Sequence, residues 1–503
     1  MVGKTSRTKV VSILCVCILA LCFATSVGAK PRKKSKKQKE TAAQKTARLN
    51  REAAVRATLL GISVSQPNAA NGGFSTNSGR DLSVKTVPSA TTRNSSGAQF
   101  VGDPETAAAG LGPAAAAAGQ LLISEFRVRG PNGANDEFIE IYNNSGADHT
   151  VADSGAGTGY AIAASNGVAR CVIPNGTVIP NRGHYLCVNS VGYSLASYPA
   201  GNGTTATGDA TYTTDIPDNA GIAIFNTSIA ANFTLANRID AVGSTAEANP
   251  LYKEGAGYAT MTPFSIDSSW YRDNCGKNGN QINGGPCIVE TPRDTDNNSN
   301  DFVFVDTNGT CPFAGSCPNP GPTSQRLGSP GPENLSSPIQ RNASVANALL
   351  DPCGGSGSPP NQVRDFTSDP ANNSTFGTLD IRRTFTNNTG GNMTRLRFRI
   401  VDLSTFPAPS GIADLRPRTS TAVVVTVDRA PCGVGTSNIT VQGTTLEQPP
   451  SQPNGGGFNS SLSAGTITLA TPLPNGATID VRFLLGIQQT GGFKILVNME
   501  ALP

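Results

Sequence analysis

The sequence predicts an all-β chain of two antiparallel β-sandwiches behind an N-terminal region that builds no core. Three observations predict it. Gly (55) and Pro (35) are abundant in 503 residues, while charged residues are 15% and aromatics 6%, the profile of turn-rich β domains rather than of helices. Short segments that alternate apolar and polar residues recur with turn residues between them, the period of half-buried strands. Two regions dense in such segments are separated by Gly354-Gly-Ser-Gly-Ser-Pro-Pro360, and the chain is long enough for each to bury its own core.

The N-terminal elements come first. Lys4, Arg7 and Lys9 precede an apolar run from about Val10 to Val27, and Val27-Gly28-Ala29 offers small residues to a signal peptidase. Residues 1–29 therefore read as a cleaved signal peptide, which places the protein outside the cell or on its surface with no transmembrane helix in the mature chain. The alternative is an uncleaved anchor tethering it to the membrane, since the run is near the lower length of a span. The basic cluster Arg32-Lys-Lys-Ser-Lys-Lys37 follows closely and works against translocation. Residues 30–60 form a basic, partly helical arm, interrupted between Lys30 and Arg56 only by Glu40 and Glu52. Residues 61–120 are rich in Ser, Thr, Asn, Gly and Ala, too poor in large apolar residues for a core, and read as a disordered linker.

The first sandwich is expected over residues 121–340. Leu122-Ile-Ser-Glu-Phe-Arg-Val128 and Glu137-Phe-Ile-Glu-Ile-Tyr142 alternate as strands do, with turn chemistry in Arg129-Gly-Pro-Asn-Gly133 between them. Ala220–Phe225 and Arg238–Val242 continue the series, and Trp270 is expected in the core. Residues 341–362 read as a linker. The second sandwich is expected over 363–503, where Leu379–Phe385 and Arg395–Ile400 put apolar residues on one face and arginines on the other. Asn387-Asn-Thr-Gly-Gly391 reads as the hairpin loop between them, and Ala422–Val427, Ile479–Leu485 and Phe493–Met499 add three strands.

Eleven cysteines divide into three in the presumed signal and eight beyond it: Cys171, Cys187, Cys275, Cys287, Cys311, Cys317, Cys353 and Cys432. An even number after a signal sequence predicts disulfides in an oxidising compartment. Zinc is the weaker alternative, because no C-x2-C pair occurs and His149 and His184 are the only histidines. The pairs expected are Cys171–Cys187, Cys275–Cys287, Cys311–Cys317 and Cys353–Cys432.

The run Ile123-Ser-Glu-Phe-Arg-Val-Arg-Gly-Pro-Asn-Gly-Ala-Asn-Asp-Glu-Phe-Ile-Glu-Ile-Tyr-Asn143 resembles the opening of a lamin tail domain of the kind found in bacterial secreted proteins. There, a strand and an acidic turn lead to an E-[FYW]-[IV]-E-[LI]-x-N strand, here Glu137 to Asn143. A Cys171-to-Cys187 hairpin, Asp240–Gly243, Lys253–Gly257 and Gln325-Arg-Leu-Gly-Ser-Pro-Gly-Pro-Glu-Asn334 resemble later parts, so the likeness spans about residues 121–335. A Gly/Thr-rich insertion near Gly201 to Thr214 departs from the pattern. The resemblance implies an immunoglobulin-like β-sandwich that binds or scaffolds without catalytic residues.

Candidates for chemistry are few. Glu125, Asp136, Glu137 and Glu140 suggest a carboxylate site, but on alternating strands they read as solvent-facing or capping residues. Asp294-Thr-Asp-Asn-Asn-Ser-Asn-Asp301 sets oxygen side chains at alternate positions, as calcium loops do. Asp294, Asp296, Asn298 and Asp301 are thus the candidate metal ligands and calcium the only candidate cofactor, although the Gly and distal Glu of an EF-hand are missing and a polar turn competes. No catalytic residue is expected: no G-x-S-x-G elbow, Walker loop or dinucleotide fingerprint occurs, and His184 reads as part of a turn entering a strand. The functional expectation is an exported, non-catalytic binding or scaffolding protein whose partner is a protein, a glycan or an anionic surface polymer met by the basic arm. The arm lacks interleaved aromatics, so no specific nucleic-acid readout is expected. A calcium-dependent hydrolase using the acidic clusters and a self-assembling matrix component are the alternatives.

Overall fold

The computed structural model describes residues 98–101, 121–196, 206–260, 267–273, 292, 294–307, 325–405, 413–429, 431–447, 455–465 and 468–502. The signal, the basic arm, most of the first linker and the predicted pairs Cys275–Cys287 and Cys311–Cys317 lie outside them.

Inside the segment read as a linker, Ala98–Val101 forms a first strand, β1. The first sandwich then contains Leu121–Arg127 (β2), Phe138–Asn143 (β3), His149–Thr150 (β4), Gly159–Ala164 (β5), Ala169–Pro174 (β6) and Val178–Ile179 (β7). It continues with His184–Asn189 (β8), Ala210–Tyr212 (β9), Ile222–Phe225 (β10) and Arg238–Val242 (β11). Ser268–Arg272 (β12), Phe302–Asp306 (β13) and Gln325–Leu327 (β14) complete it. A seven-stranded sheet in the order β14-β13-β12-β2-β3-β8-β9 faces a four-stranded sheet in the order β11-β10-β5-β6. Between them Ile123, Phe126, Ile139, Ile141, Ile162, Ile224, Trp270, Phe302 and Phe304 form one buried cluster. Strict alternation would send Ile123 and Phe126 to opposite faces. A bulge at Ile123/Glu125, where the β2–β3 register shifts, returns both to the core and points Glu125 outward.

The second sandwich contains Ile339–Gln340 (β15), Val345–Leu349 (β16), Gln362–Asp365 (β17), Thr378–Asn387 (β18), Arg395–Leu403 (β19) and Asp414–Arg418 (β20). After these come Val423–Val427 (β21), Ser437–Val441 (β22), Thr444–Glu447 (β23), Ser461–Ala464 (β24), Thr478–Gln489 (β25) and Ile495–Leu502 (β26). One sheet runs β1-β26-β19-β24-β23 with β15 also on β26, and the other runs β16-β18-β25-β20 with β17 also on β18. Phe385, Phe398 and Phe483 meet at the centre of its core, with ring centroids 4.7, 6.1 and 4.8 Å apart. The fold is therefore all-β, as the alternation predicts, and both sandwiches belong to one compact unit.

Four local expectations need correction. Cys171 and Cys187 are joined by a disulfide, but no hairpin links them: Cys171 lies in β6 of the four-stranded sheet and Cys187 in β8 of the seven-stranded one. The bond staples the two layers through the core, because β7 leaves β6 to pair with β4. Asn387–Gly391 is not a hairpin loop either, since β18 and β19 belong to different sheets. It is an arch, held by Asn387 Nδ2 donating to the carbonyls of Gly391 and Leu473 at 2.9 and 2.7 Å. The stretch 341–362 is only partly linker, for β16 pairs with β18. Edge strands draw on backbone bonds and need few apolar side chains, so Val345-Ala-Asn-Ala-Leu349 carries almost no pattern. Finally, Glu125, Glu137 and Glu140 are buried rather than solvent-facing. Cys353 and Cys432 form a second disulfide, and Trp270 sits in the core against Tyr258 and Phe304.

Candidate functional site at the interface of the two sandwiches

The outward faces of two amphipathic sheets meet here. From the first come Glu125 on β2, Glu140 on β3, His184 on β8, and Ser269 and Tyr271 on β12. From the second come Arg395, Arg397 and Arg399 on β19 and Asn498 and Glu500 on β26. Every one of these is buried. The segment Gly328-Ser-Pro-Gly-Pro-Glu-Asn334 threads between the sheets and is buried throughout. A side chain on Gly331 would collide with the Arg399 guanidinium, so glycine is what lets that group through.

The arginines order the interface. Arg399 donates from Nε to Glu500 Oε1 at 3.1 Å and from Nη1 to Asn459 Oδ1 at 2.7 Å, and pairs with Glu333 Oε2 at 3.0 Å. Arg397 binds Glu500 Oε2 at 2.6 Å and also pairs with Glu333, and Arg395 reaches both oxygens of Glu447. Glu125 accepts from Ser269 Oγ at 2.5 Å, from Gly331 N at 3.0 Å and from Asn459 Nδ2 at 3.0 Å. Asn459 thus links Glu125 of one sandwich to Arg399 of the other, from a left-handed backbone position (φ 61°) that Asn tolerates.

Glu140, His184 and Glu333 converge at the centre. Glu140 accepts from Ser124 Oγ through Oε1 at 2.5 Å and from Glu333 N through Oε2 at 2.7 Å. His184 Nε2 lies 3.4 Å from Glu333 Oε2 and 3.8 Å from Glu140 Oε1, and its Nδ1 has no hydrogen-bond partner among the described residues. Burial raises the pKa of Glu140 well above the usual carboxylate range, and the Glu125 charge adds to it. Burial likewise raises Glu125. The same burial, followed by Arg399 and Arg397, holds His184 well below its ordinary value, so its imidazole is neutral. A cavity of about 30 Å³ opens between Ser124, Glu140, His184, Glu333, Arg399 and Glu500.

The predicted metal loop goes elsewhere. Asp294 is brought to Asp240 and Glu254, with ligand atoms within 4.8 Å of one another, but the buried Arg272 guanidinium already stands among them. It donates to Asp240 Oδ2 at 2.7 Å and lies 3.4 Å from Asp294 Oδ1. Asp301 accepts from the backbone and hydroxyl of Thr295, and the Asn298 side chain binds the backbones of Gly243, Glu254 and Ala241. Asp296 is exposed. The four candidates therefore do not converge on one point, and Arg272 supplies the positive charge that calcium would bring. Asp136 ties Arg127 to the turn at Asn132 and Ser194. Glu137 accepts from Ile216 N and Asn189 Nδ2, and burial pushes it up to about 8.

Of the interface residues, the strand pattern singled out Glu125 and Glu140, and the turn reading reached His184 without a role. Glu333, Arg397, Arg399 and Glu500 were missed as site residues. The available signal was the run of three arginines at period two, Arg395, Arg397 and Arg399, on the face of β19 that turns away from its own core. No family model, curated protein or solved structure matches this chain.

Proposed function

We propose that this chain is an exported, non-catalytic binding or scaffolding protein in which a lamin-tail-like sandwich and a second sandwich act as one rigid body. The observation that carries the reading is the placement of its buried charge. The glutamates and the histidine with chemical potential are committed to joining two sheets, around a cavity of about 30 Å³ that has room for one or two waters. Ligand clefts run to roughly 300–1,000 Å³. Binding would then fall to loops on the rigid scaffold, where Phe366, Phe376 and Val434 are exposed, with the basic arm 30–60 as an electrostatic tether to an anionic polymer. The lamin-tail reading rests on the Ile123–Asn143 motif and on the Gly328–Asn334 segment.

The calcium-dependent hydrolase is disfavoured by Arg272, which lies between the Asp294 loop and the strand carrying Glu125. The test pairs two measurements on the secreted full chain: saturable retention on isolated cell-envelope polymers, and turnover of ester, glycoside and phosphoester substrates. Retention without turnover is expected. Turnover abolished by Glu125→Gln or His184→Gln would overturn the proposal.

A further inference from the structure

We infer that Glu140, His184 and Glu333 form a binding site for one divalent cation of the zinc class, lodged between the two sandwiches. Three observations support the site. The three ligand atoms all lie within 4.8 Å of one another, and all three residues are buried. The His184 Nε2 separations of 3.4 and 3.8 Å from the two carboxylate oxygens approach the edge of about 3.4 Å that a tetrahedron with metal–ligand bonds of about 2.0–2.1 Å requires. The imidazole is nine-tenths buried, faces the carboxylates through Nε2 and leaves Nδ1 without a partner among the described residues.

The donor set selects the ion. One imidazole with two carboxylates suits zinc-type metals, whereas calcium and magnesium require six or more oxygens. A cavity of about 30 Å³ leaves room for a water at the fourth position. Arg397 and Arg399 hold Glu333 from the second sandwich, and Ser124 orients Glu140, as outer partners of ligating carboxylates do. The cation would therefore clamp β3 and β8 to the segment that joins the two sandwiches. This site is independent of the binding function proposed above and survives its failure.

The probe is Zn²⁺, added to the full chain after chelator treatment and followed by calorimetry, with Co²⁺ absorption reporting the coordination. One equivalent should bind, with a d–d band of four or five ligands and no thiolate charge-transfer band. Loss of an outer partner alone typically weakens metal binding by about ten- to a hundredfold, so His184→Gln should weaken Zn²⁺ by about a hundredfold or more. His149→Gln, which alters the other histidine, should bind as the parent does. Because His184→Gln alters a buried group, X-ray absorption of the unsubstituted Zn²⁺ form provides the second reading: one imidazole, oxygen ligands and no sulfur. No saturable Zn²⁺ binding by the folded chain, sulfur ligation, or unchanged affinity in folded His184→Gln would overturn the inference.

Discussion

Replacing Arg399 with Leu tests whether buried charge holds the two sandwiches together. The guanidinium reaches Glu500 Oε1 at 3.1 Å, Glu333 Oε2 at 3.0 Å, Asn459 Oδ1 at 2.7 Å, and the carbonyls of Asn459 and Gly331 at 3.2 and 3.3 Å. Removing one member of a buried pair costs about 3–5 kcal/mol, most of it the penalty of an uncompensated charge. Arg397 still holds Glu500 at 2.6 Å and still reaches Glu333, so the lower end, about 3 kcal/mol, is expected. Arg399→Lys should recover less than half of it, since one ammonium cannot span acceptors set in a fork. Urea unfolding followed by far-UV circular dichroism reads both sandwiches, while Trp270, the only tryptophan, reports on the first. Combining Arg399→Leu with Glu500→Leu should cost less than the two singles together by about 0.5–3 kcal/mol, because they share a bond. A loss below about 1 kcal/mol for Arg399→Leu, or strict additivity, would refute the argument.

Three further outcomes are expected. The disulfides close loops of different length, with separations of 16 residues for Cys171–Cys187 and 79 for Cys353–Cys432. Loop-closure entropy makes their removal as Ala pairs cost about 3 and about 4.5 kcal/mol in denaturant titrations, and a reversed order would contradict it. Burial pushes Glu254 up to about 9 from its ordinary 4.5. The fold therefore keeps a proton that the unfolded chain has lost, and stability declines as pH rises between those two values. Glu254→Gln should remove that part of the slope, and a parent-minus-variant difference that stays flat from about pH 5 to 9 would count against it. Phe366 and Phe376 are 60% and 47% exposed, so Phe366→Ser with Phe376→Ser should move stability by less than about 1 kcal/mol while weakening envelope retention; unimpaired retention would exclude these loops from the contact surface.

Much of the molecule was legible in the sequence because strand formation is local. Arg238–Val242 was read to the residue, and the strands at Leu121–Arg127 and Phe138–Asn143 to within one, since alternation on a pleated ribbon needs only neighbours. The two disulfides within the described residues follow the pairing expected from cysteine order. Connections were harder. A hairpin loop and an arch between sheets share the same Asn and Gly, and the choice at Asn387–Gly391 depends on which strand β18 pairs with, a long-range matter. Edge strands such as Val345–Leu349 escaped because backbone bonds, not side chains, hold them.

The sequence by itself determined the all-β class and the alternation of most strands, while the tertiary structure decided which cysteines meet, joining Cys171 to Cys187 and Cys353 to Cys432. Only the tertiary structure decided where the polar faces go. Alternation states that Glu125, Glu140, Arg397 and Arg399 point away from their own cores, and says nothing of what they meet. Water and a complementary charged sheet both satisfy an ionised side chain. Choosing between them requires two surfaces brought together from residues up to 334 positions apart, as in the bond from Asn459 to Glu125. That meeting turns two solvent faces into a buried site.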